Sequence, residues 1–69
     1  MHTLYFVRMT MPRGDYLSNV VFLLTAASPE EAGQQARMGL ELWCRDLYRV
    51  DSVEAVCQTP DTVVHFQPV

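Results

Sequence analysis

Cys44, Cys57, His65 and His2 are the side chains of this chain best suited to hold a metal or attack a carbonyl. Structural zinc sites are built from close-spaced ligand pairs, and neither cysteine has such a partner. A Cys–His nucleophile made from either cysteine with His65 would need a third, orienting group and an oxyanion pocket. The pattern supplies neither, and so short a chain has little room for an enclosed pocket. Glu30, Glu31, Glu41 and Glu54 fit a helix cap and a solvated surface. The three glycines stand singly, so no phosphate-cradling loop is present. Arg13-Gly14-Asp15 matches an adhesion tripeptide by its letters, but after Met11-Pro12 it reads as a turn. The expectation is a non-enzymatic protein with no cofactor and no metal. Both cysteines are expected to be free, buried thiols.

The elements that would position these residues are better marked. Ser28-Pro29-Glu30-Glu31 is a helix start. Ser28 can accept from a free backbone N–H, and Pro29 loses nothing by lacking one at the first helical position. Glu31 lies where it can reach back to the Ser28 N–H. At about 100° per residue, Ala32, Ala36, Leu40, Trp43 and Leu47 share one face, with Cys44 beside it. One helix from Ser28 to Leu47 is therefore expected. Arg37, Glu41 and Arg45 would line its solvated side, with Met38 pointing outward and Leu42 at the border.

Two strand-like runs precede this helix and two follow it. His2 to Thr10 is the first and Asn19 to Thr25 the second, joined by a turn expected to exceed two residues. Tyr48 to Cys57 is the third. Its valines at 50, 53 and 56 fit a strand only with a bulge near Asp51-Ser52. Thr62 to Gln67 is a short fourth. The helix must carry the chain over to a third strand parallel to the second, with the first between them. The expectation is one α+β domain over residues 1–69. Its plan is ββαββ, an antiparallel sheet in the order 2-1-3-4 with the helix on one face.

That plan leaves apolar side chains over. Tyr5, Val7 and Met9 fall on one side of the first strand, and Leu4, Phe6 and Arg8 on the other. In the second strand Val20, Phe22 and Leu24 oppose Val21 and Leu23. A half-exposed antiparallel sheet ordinarily alternates apolar with polar residues, and one helix cannot cover both faces. A second apolar face of this kind predicts a homodimer or a protein partner.

Composition narrows the partner. The 69 residues carry a net charge of −3, and the five basic residues are scattered, so the basic stripe of a nucleic-acid binder is missing. No apolar run reaches membrane-spanning length, and residues 1–10 lack the pattern of a secretory signal, so a cytoplasmic location is expected. A nucleic-acid platform on which Tyr5 or Phe6 stacks bases is the alternative reading.

From Phe22 to Cys57 the chain reads as a strand, then Ala26-Ala27-Ser28-Pro29-Glu30-Glu31-Ala32, then a helix, then Tyr48, Val50 and Val53. A cysteine closes the last strand. This resembles small phage-encoded host-takeover proteins, a group holding short inhibitors of bacterial RNA polymerase and small anti-CRISPR proteins. The resemblance implies a compact inhibitor that blocks a host protein sterically, in the transcription machinery or a defence complex. The expected contact or dimer residues are Leu4, Phe6, Arg8, Arg13, Tyr16, Val21 and Leu23.

Overall fold

The computed structural model describes residues 1–13 and 16–69, and of residues 13, 16 and 17 the backbone alone. The described chain runs β1 (His2–Arg13), β2 (Tyr16–Ala26), α1 (Pro29–Met38), β3 (Arg49–Thr59) and β4 (Val64–Pro68). It forms an α+β domain in which one helix packs on a four-stranded antiparallel sheet.

β1 and β2 form a long hairpin whose ladder runs from Thr3↔Ala26 to Arg13↔Tyr16. The pairing therefore continues further than the expected turn allowed, leaving only Gly14 and Asp15 between the strands. Those two residues, and with them the Arg-Gly-Asp turn, lie outside the described set. Pro12 is tolerated inside β1 because β3 stops pairing at Thr10, so the strand has an open edge there.

The sheet order is β3-β1-β2-β4. The central 2-1-3 arrangement holds, but β4 pairs with β2 and not, as sequence neighbourhood suggested, with β3. Two features favour β2. Its outer edge presents Phe22, against which Phe66 tilts with ring centroids 5.0 Å apart. Thr25 anchors the entry, its N–H donating to the Val63 carbonyl at 2.9 Å while its Oγ1 accepts from the Val63 N–H at 3.2 Å. β3 is a poorer template, because its register against β1 slips twice. One slip makes Asp51 an extra residue, the bulge that the valine spacing required; the other does the same for Val56. Reaching β2 takes the link after Thr59 across three inter-strand spacings, about 14 Å, which an extended chain of that length can cover.

The helix begins where the cap residues place it. Ser28 Oγ accepts from the Glu31 N–H at 3.1 Å, and Glu31 Oε2 accepts from the Ala27 N–H at 3.3 Å, one residue earlier than expected. It ends much sooner than the apolar periodicity implied. A Cβ at Gly39 would lie 2.7 Å from Phe22 Cε1, so only glycine lets the chain pass this ring. Beyond it, residues 40–48 run through turns, with the Cys44 N–H donating to Glu41 and the Leu47 N–H to Cys44. The buried positions then become Leu40, Cys44 and Tyr48. Trp43 and Leu47, expected in the core, are 66% and 55% exposed.

Arg37 and Arg45, expected on a solvated helix face, instead hold this segment in place. Arg37 Nη1 donates to the Arg45 and Tyr48 carbonyls at 2.9 and 2.8 Å. Arg45 Nη2 donates to the Met38 and Leu40 carbonyls, each at 3.1 Å. The Met38 carbonyl at the end of the helix, and those of Leu40, Arg45 and Tyr48 beyond it, thus find charged donors. The core lies between α1 and the sheet, with Val7, Met9, Phe22 and Leu24 sealed beneath Ala32 and Ala36. The two alanines let the helix lie close to the strands. No helix among the described residues is long and apolar enough to cross a membrane.

Candidate interaction surface

The chemistry-bearing residues are not brought together. Cys44 is buried on the helix side of the sheet, whereas Cys57 is exposed, against the expectation of two buried thiols. Cys57 lies on β3 opposite Leu4, and His65 on β4 opposite Leu23. They occupy opposite edges of the sheet with β1 and β2 between them. Among the described residues no group of three His, Cys, Asp or Glu side chains is placed to hold a metal ion. An open groove between α1 and β3 is lined by Pro29, Glu30, Gly33, Arg37, Val50 and Val53, and neither cysteine nor either histidine is in its wall.

The face away from the helix has a definite layout. The β1–β2 register sets Phe6 beside Leu23 and Arg8 beside Val21, with Leu4 one step along. Flanking them are Ser52, Glu54 and Cys57 on β3, and His65 and Gln67 on β4. The apolar side chains therefore occupy the two central strands, and mostly polar ones occupy the edges. Leu4, Phe6, Val21 and Leu23 are half-buried as a result, because the edge side chains shelter them. Strict alternation within each strand is replaced by segregation between strands.

Arg8 is exposed, its guanidinium carbon 6.0 Å from the centre of the Phe6 ring, at the outer reach of a cation–π contact. Arg49 and Asp51 pair on β3 at 3.6 Å. Arg8 has no such ion pair among the described residues and presents its charge beside the apolar stripe.

Five of the seven expected contact residues thus share one surface: Leu4, Phe6, Arg8, Val21 and Leu23. For Arg13 and Tyr16 the backbone pairing is defined, but their side chains lie outside the described residues. Tyr5 points the other way and is buried in the helix-side core, so of the two aromatic residues considered for base stacking only Phe6 is on the open face.

Sequence reasoning missed a second exposed apolar set. Trp43, Leu42 and Leu47 stand out from the 40–48 segment, and Val64 and Phe66 from β4. Gly39 carried the signal for the first of these, since a glycine inside an amphipathic pattern can mark the end of a helix. Compared with protein-family models, curated proteins and solved structures, the chain matches none.

Proposed function

We propose that this chain is a non-catalytic protein-interaction module whose open sheet face occupies a surface on another protein. The observation that carries this reading is the half-buried stripe of Leu4, Phe6, Val21 and Leu23 with exposed Arg8 at its margin. An apolar centre within a polar rim is the anatomy of a recognition patch. A partner of matching chemistry has an apolar centre and a carboxylate opposite Arg8. The likeness to small phage-encoded proteins gives the reading a specific form, steric inhibition of a bacterial host protein in transcription or defence. A standard interface takes about 800 Å² from each partner, so one this size would engage much of the face of so small a domain.

The test is a comparison of captures from bacterial lysate by the wild-type chain, Phe6→Glu and Arg8→Glu. A partner held by the wild type should be lost with Phe6→Glu and weakened with Arg8→Glu, while circular dichroism shows both variants folded. Identical capture by all three proteins would remove the open face from the mechanism.

A further inference from the structure

The two edges of the sheet are built differently. β3 has two bulges and carries Arg49, Asp51 and Glu54, devices that discourage another strand from pairing there. β4 is Val64-His65-Phe66-Gln67-Pro68, with no acidic residue, lysine or arginine and no register slip against β2. All of its residues are exposed, Val64 by 69% and Phe66 by 47%.

Backbone alternation shows what this edge offers. Val63 accepts from the Thr25 N–H, and the Val69 N–H donates to the Asn19 carbonyl, so odd-numbered residues turn their backbone groups towards β2. Val64, Phe66 and Pro68 therefore turn theirs outward. Pro68 has no N–H to leave unpaired, which is where proline is tolerated on an edge.

We propose that β4 is a self-pairing edge, through which two copies of this chain join by antiparallel β4–β4 contact centred on Phe66. In this register the Phe66 residues of the two copies face each other and exchange both backbone hydrogen bonds. Each Val64 N–H meets a Pro68 carbonyl across the two-fold axis. Every outward N–H of β4 is then satisfied, and the strand pairs along its whole length. Centring on His65 instead would pair only residues 64–66 within the strand and set the two histidines against each other. On the helix side, Phe66 already leans on Phe22, so the two copies would line up four aromatic rings across the junction. No like charges are apposed. The result is a continuous eight-stranded sheet with both open faces left free, so this inference does not depend on the open-face reading.

A five-residue junction buries less than a standard interface, so the dimer should respond to concentration. In sedimentation equilibrium the average mass should climb from 7.9 kDa towards twice that value as concentration rises. Phe66→Lys, which sets two lysines face to face, should stay monomeric. So should Val64→Pro, which removes an outward donor at the first strand position and keeps the Phe22 contact. Phe6→Glu should dimerise like the wild type. Register has its own readout, in a Cys57→Ser background. His65→Cys and Gln67→Cys proteins should form a disulfide when mixed and not separately, because these residues meet at a non-hydrogen-bonded pair about 4.5 Å apart. A wild type that stays monomeric up to millimolar concentration would overturn the proposal. So would a dimer that survives Phe66→Lys and Val64→Pro but is lost with Phe6→Glu, since that pattern assigns association to the open face.

Discussion

Val7 and Phe6 are neighbours in β1, yet Val7 is fully sealed and Phe6 only half covered. The same contrast runs along β2 between Phe22 and Leu23. On the helix side, burial comes from a second layer laid over the strands. Among the described residues, burial on the open side comes from side chains within the same sheet, Glu54 beside Phe6 and His65 beside Leu23. A layered core is held by packing from above and below, so its side chains are tied to the fold. A laterally sheltered stripe can give up its cover to an incoming surface without disturbing the layer behind it.

The sharpest way to test that contrast is to truncate one phenylalanine on each face. Phe22→Ala should cost about 3–5 kcal/mol, because the ring is enclosed by Phe66, the Gly39 turn and the helix. For a domain of this size that is much of the total stability, about 0.05–0.15 kcal/mol per residue. Phe6→Ala should cost about 1 kcal/mol or less, its ring being already half in water. Urea denaturation of the two variants reads the difference directly, and equal losses would mean that the open face belongs to the core.

A smaller effect is expected where the helix layer is tied down. Arg37→Met keeps most of the aliphatic stem but removes the donors to the Arg45 and Tyr48 carbonyls, for a loss of about 1.5–3 kcal/mol. Hydrogen exchange should show the loss concentrated in residues 40–48, with the β1–β2 ladder still protected; uniform loss would refute a local role.

The smallest expected effect has the opposite sign. Thr10 Oγ1 is buried with no hydrogen-bond partner among the described residues. Thr10→Val should therefore be neutral or stabilising, within about 0.5 kcal/mol of wild type or above it. A clear loss in thermal unfolding would show that the hydroxyl is used.

Much of this arrangement could be read from residue order, and the failures share a cause. The sorting of Tyr5, Val7 and Met9 from Leu4, Phe6 and Arg8 follows from the period of two, which any strand obeys. The bulge at Asp51 was legible because three valines at equal spacing cannot all face one side of a regular strand. The helix end was signalled by Gly39 alone, and the apolar periodicity that runs on through it masked that signal. The ring that makes glycine necessary there belongs to the distant Phe22, which a Cβ at position 39 would meet at 2.7 Å. The place of β4 was hidden for the same reason: the attraction lies in Phe22 and Thr25, far back in the chain. Within the site, Leu4, Phe6, Val21 and Leu23 were identifiable from β1 and β2 alone, whereas their shelter required knowing which strands lie alongside.

The link from Thr59 across the sheet end to Val64 has a consequence for assembly on the ribosome. β1 and β2 can zip together early, being adjacent in the chain. The outer flank of β2, with Phe22 behind it, must then wait until residues 64–68 emerge. Until β4 docks, the nascent protein shows the unprotected outer flank of β2, and synthesis speed should govern how much of it is lost to aggregation.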